Sequence, residues 1–113
     1  MKIGVVNNEV VVKGLWRRGF SAVESAITRI NVMGDYKRNS LGFLGGRSRK
    51  TVCLRFLIIE AGKESITLDA FQDIGFELAV EWLEENDWDM NSGTNQALKT
   101  PLIRVPVSKL RRY

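Results

Sequence analysis

The chain has 113 residues, one cysteine, two prolines and no histidine, with 44% hydrophobic and 27% charged residues and a net charge of +4. Those totals suit one small α+β domain and exclude a disulfide scaffold, a collagen-like chain and a low-complexity chain. The lone Cys53 cannot pair within the chain, so a reducing, cytoplasmic setting is the expectation. No stretch approaches the roughly 20 apolar residues of a membrane span, and no membrane partner is expected.

The net charge hides a segregation. Residues 64–98 contain nine acids and neither Lys nor Arg, while the other residues hold four acids and all 17 bases. A charge average would have missed this division.

In chain order, residues 2–6 (KIGVV) and 9–13 (EVVVK) are β-branched runs separated by Asn7-Asn8. Asparagine tolerates the left-handed backbone of a two-residue hairpin turn, so a hairpin is expected here. Ser21 and Glu24 have capping-box spacing, and Val23, Ala26, Ile27, Ile30 and Met33 follow at helical spacing. They predict a first helix closed by Gly34.

Residues 35–50 (DYKRNSLGFLGGRSRK) show no period and read as a long, basic, glycine-rich loop. Residues 51–60 (TVCLRFLIIE) are apolar on both alternating faces, the pattern of a central strand. Ala61-Gly62-Lys63-Glu64 reads as a turn, followed by a short returning strand at 65–68.

Asp69 with Gln72 predicts the start of a second helix, with Phe71, Ile74, Gly75, Leu78, Ala79 and Trp82 on its buried face. Residues 87–99 read as a loop. Residues 101–107 read as an edge strand, because Pro101 and Pro106 lack amide donors. The tail 108–113 is expected to be basic and mobile.

The expected fold is therefore α+β, a mainly antiparallel sheet of about five strands in the order β-β-α-β-β-α-β. Two helices would pack on one face. Because strand 51–60 is apolar on both sides, a homodimer formed through the uncovered face is favoured over a monomer.

Two surfaces are candidates for function. The first is the basic loop. Lys37, Arg38, Arg47, Arg49 and Lys50 could neutralise phosphates, and Arg17 and Arg18 could extend the footprint. Tyr36 and Phe43 could stack on bases of a single strand. The plain alternative is a solubilising loop.

The second surface is an acidic helix face. Asp73, Glu77, Glu81 and Glu84 recur near four-residue steps, and Trp88 lies beyond them as an exposed anchor. That face could dock a basic protein partner or imitate nucleic acid. The plain alternative is a solvated face, partly neutralised by the chain's own bases.

Catalysis has little support. Without histidine the commonest general base is missing, and Cys53 has nothing to activate it. Asp87 and Asp89 form an oxygen-rich stretch without a calcium-loop spacing. No catalytic set, metal or cofactor is expected. The leading expectation is a non-catalytic accessory protein that binds DNA or RNA, with a protein-binding or inhibitor module and a small-molecule-binding domain as alternatives.

Overall fold

A computed structural model describes residues 1–14, 19–38 and 50–111, with backbone alone at 37, 38, 50 and 51. The fold is α+β, with seven antiparallel strands in two sheets and two helices packed against the larger sheet. β1 (Lys2–Val6), β2 (Glu9–Lys13) and β3 (Phe20–Val23) form the smaller sheet in that order. The larger sheet is built from β4 (Arg29–Arg38), β5 (Lys50–Ala61), β6 (Glu64–Asp69) and β7 (Val105–Val107). Its order is β6-β5-β4-β7. Between β6 and β7 come α1 (Phe76–Glu85) and α2 (Met90–Lys99).

The first hairpin forms as expected, with Val6 opposite Glu9 and both turn residues left-handed (Asn7 φ 52°, Asn8 φ 58°). Asn8 also works at long range. Its Oδ1 accepts from the indole N–H of Trp82 at 2.8 Å and from Asn86 Nδ2 at 3.1 Å. The turn is thereby fastened to the end of α1. Strand β5 is central, and the Gly62-Lys63 turn returns the chain into β6, also as expected.

The expected first helix is not there. Residues 20–23 form β3, Glu24–Ala26 make a single 3-10 turn, and β4 starts at Arg29. Five β-branched residues (Val23, Ile27, Thr28, Ile30, Val32) favour extended backbone in this segment. Alternate residues Ile30, Val32 and Gly34 face inward, a period of two that overrides the helical spacing. Glu24 does not cap a helix; its carboxylate pairs with Lys109.

Residues 90–99, expected to be loop, form α2. Asp89 Oδ1 accepts from Ser92 N–H at 3.2 Å and caps it. Met90, Gly93 and Ala97 are its buried side, and the small Gly93 and Ala97 let the helix lie close to β7 and β4. The second expected helix starts six residues late. Asp69 ends β6, and α1 opens after Gly75, whose φ is +90°. A Cβ there would stand 2.4 Å from the Ile3 carbonyl oxygen, so only glycine fits.

The later start changes the buried face to Phe76, Ala79, Trp82 and Leu83. Phe71, Ile74 and Leu78 are exposed instead. The last strand is shorter than expected, three residues, but it does lie at the sheet edge. One continuous apolar cluster joins the two sheets and both helices, from Ile3, Val10 and Val12 through Ile30, Leu57 and Ile59 to Leu83 and Met90. Among the described residues no helix is long and apolar enough to cross a membrane.

A basic ribbon and an acidic groove

The residues read as a loop at 35–38 and 50 belong to strands. Tyr36 pairs with Val52, Lys37 with Thr51 and Arg38 with Lys50. β7 covers β4 only at residues 30–32, and β6 covers β5 only at residues 56–61. From Gly34↔Leu54 to Arg38↔Lys50 the hairpin therefore continues as a two-stranded ribbon beyond the four-stranded sheet. Five register pairs at about 3.3 Å per residue reach about 13 Å past Gly34.

A register irregularity between Met33 and Gly34 marks the root of the ribbon. Bulges bend a strand and re-aim the residues beyond the bend. Gly34 lies under the end of α2, where a Cβ would come within 2.6 Å of the Ala97 carbonyl oxygen. Its own carbonyl accepts from the Leu102 N–H at 3.1 Å.

Beyond the irregularity, register places positions 34, 36 and 38 on one face with 54, 52 and 50. Tyr36, Arg38 and Lys50 thus occupy one face of the ribbon. Tyr36 is 52% exposed, and its N–H is held by Asp35 Oδ1 at 2.7 Å. Lys37 occupies the opposite face. Phe43, Arg47, Arg49, Arg17 and Arg18 lie outside the described residues.

The acidic candidates divide. Asp73 is not on α1. Its Oδ2 accepts from Asp69 N–H at 2.7 Å and its Oδ1 binds the terminal ammonium of Met1 at 3.0 Å. It is a structural clamp between β1 and the end of β6. Trp88 is no exposed anchor either: it is 7% exposed and packs in the core, with Lys109 Nζ 5.5 Å from its ring centre. α1 ends at Glu85, and the left-handed Asp87 (φ 69°) turns the chain just before the buried Trp88. The tail expected to be mobile is tied here as well. Asp89 N–H donates to Ser108 O at 2.9 Å and Leu110 N–H to Asp87 O at 2.7 Å.

Glu77, Glu81 and Glu84 stay exposed and line a groove of about 380 Å³ between α1 and α2. Leu54, Phe76 and Val80 form its apolar lining, and Asn91, Thr94 and Asn95 its polar far wall. Among the described residues none of these three carboxylates enters an ion pair; the pairs formed are Arg29–Glu60, Arg55–Asp69, Lys109–Glu24 and the terminal amine with Asp73.

Sequence reasoning missed two features. One is the far wall of this groove, since residues 87–99 read as loop by their composition. The other is the exposed pair Leu102-Ile103 beside the ribbon root. A signal for the second existed: Pro101 followed by two large apolar residues in a polar stretch. Comparison with protein-family models, with curated proteins and with solved structures finds no match for this chain.

Proposed function

We propose that the protein binds nucleic acid through the β4–β5 ribbon. The observation that carries this reading is the register that sets Tyr36, Arg38 and Lys50 on one ribbon face. An exposed aromatic residue on the root side of a pair of cationic positions offers a nucleic acid both a stacking surface and phosphate neutralisation. A two-stranded ribbon is also narrow enough to enter a major groove about 12 Å wide. Arg47 and Arg49 add two more bases to the sequence that connects the two strands.

The test replaces Lys37, Arg38 and Lys50 by Ala and measures binding to labelled duplex and single-stranded DNA and RNA across salt. Each phosphate no longer neutralised reduces the log–log salt slope by about 0.9 on duplex DNA, so the slope of the triple variant should fall by up to about 3. Circular dichroism confirms that it folds. Unchanged affinity and slope in a folded variant would remove the reading.

A second reading rests on the groove between α1 and α2. Three carboxylates without intramolecular ion-pair partners among the described residues, beside an apolar lining, suit a basic, partly apolar peptide of a protein partner.

A further inference from the structure

Between α2 and β7 the chain turns through Thr100-Pro101-Leu102-Ile103-Arg104. Leu102 has φ +68°, the left-handed region that leucine avoids because its Cβ crowds the backbone. A proline followed by a left-handed residue is a turn that asks for glycine or asparagine at the second place. Yet Leu102 is 63% exposed and Ile103 57% exposed. Folding gains nothing from this choice, since glycine would relieve the backbone and little apolar surface would be lost from the core. An exposed apolar pair at a strained turn is suited to a contact outside the molecule.

The place is specific. Leu102 N–H bonds Gly34 O on the open edge of β4, at the ribbon root. Tyr36 follows two residues along the same strand, about 7 Å away and so about two base steps of a nucleic acid strand. Lys99 and Arg104 flank the turn, are exposed, and form no ion pair among the described residues. On the β5 side of the ribbon root lies Leu54, and with it the groove of Glu77, Glu81 and Glu84. A polyanion is repelled there, which leaves the β4 side, where the apolar turn stands.

We infer that Leu102 and Ile103 form a wedge that unstacks a base step of duplex DNA held on the ribbon. This rests on the nucleic-acid reading above and adds the substrate class: a duplex that can be kinked. Apolar side chains inserted between base steps bend the helix, and the bend brings more phosphates to flanking cations. Pyrimidine–purine steps such as TA unstack most easily and are the preferred sites.

The experiment uses a duplex of about 30 base pairs with a central TA step, dye-labelled at both ends. Energy transfer reports bending and anisotropy reports affinity. Wild type is compared with a Leu102→Gly/Ile103→Ser variant and with the ribbon triple variant, and each is also tested by flotation with phosphatidylserine vesicles.

The wild type should shorten the end-to-end distance. The turn variant should lose the bend, bind the TA duplex about tenfold more weakly and show a salt slope lower by up to about 2, for the phosphates that Lys99 and Arg104 no longer reach. Its melting temperature should not fall, since glycine suits the backbone at 102. If the turn variant bends DNA as wild type does, the wedge is wrong while the ribbon reading stands. If the wild type binds no nucleic acid at low salt, both fall. If the variant instead loses only vesicle binding, the turn is a lipid contact and the wedge is overturned.

Discussion

Gly34 is where the ribbon, α2 and the apolar turn meet, and Gly34→Ala tests that junction directly. The added Cβ would stand 2.6 Å from the oxygen and 3.2 Å from the carbon of the Ala97 carbonyl, both backbone atoms of α2. No side-chain rotation relieves such a clash, so the last turn of α2 or the strand itself must shift. Overpacking of this kind costs about 1–3 kcal/mol. For a domain of this size each kcal/mol lowers the melting temperature by about 4 °C, so a fall of about 4–12 °C is expected.

Urea denaturation reads the same quantity, with the midpoint falling and the slope unchanged. Gly4→Ala is the control. Gly4 is also in a strand, but a Cβ there meets nothing within 4 Å. That variant should be neutral or more stable by up to about 1 kcal/mol. A Gly34→Ala protein as stable as wild type would refute the packing argument, and with it the idea that α2 sets the position of the ribbon root.

Two further outcomes are expected. Asn8→Gly keeps a residue suited to the left-handed turn but removes the acceptor of the buried Trp82 N–H, at a cost of about 1–3 kcal/mol by chemical denaturation; Asn8→Ala adds turn strain of about 1–2 kcal/mol, and equal stabilities would exclude that strain. Glu77→Lys with Glu81→Lys should leave melting unchanged and abolish capture of a Lys/Arg-rich peptide library if the groove binds a basic partner; capture that survives the reversal removes that reading.

The parts legible in the sequence are those where one local signal decides. Asn7-Asn8 between two valine-rich runs leaves little but a hairpin. The run 51–60, apolar on both faces, belongs in the middle of a sheet, and β5 is there. The misreadings come from segments where two periods coexist. Residues 21–33 match a helical stripe and also a strand alternation, and tertiary pairing with β5 selects the strand. Residues 90–99 carry Asn, Ser, Gly and Thr, poor helix formers, and are helical because Asp89 caps them and Gly93 and Ala97 fit against the sheet.

The site obeys the same rule. Which bases and acids cluster was visible in the chain. Which of them share a face was not, because faces depend on the register of β4 with β5 and on where α1 begins.

The segregated charge now has a geometric meaning. If the acids of α1 served to neutralise the bases, ion pairs between them would be expected. Among the described residues there are none: the four pairs formed use Glu24, Glu60, Asp69 and Asp73, all away from the groove. Leu54, at the groove, and Lys50, at the ribbon end, are four residues apart on one strand, or about 13 Å. That exceeds the screening length of about 8 Å at physiological salt, so the acids of the groove act little on charges at the ribbon end. Closer to the root the two fields oppose each other, and a phosphate backbone meets repulsion on the β5 side but not on the β4 side. On the proposed nucleic-acid reading, the acids would act on orientation more than on affinity, leaving one approach along the edge that carries Tyr36, Leu102 and Arg104. Reversing Glu77 and Glu81 should accordingly strengthen nucleic-acid binding while blurring its geometry, an effect opposite in sign to the loss expected if the groove is the docking site for a basic peptide.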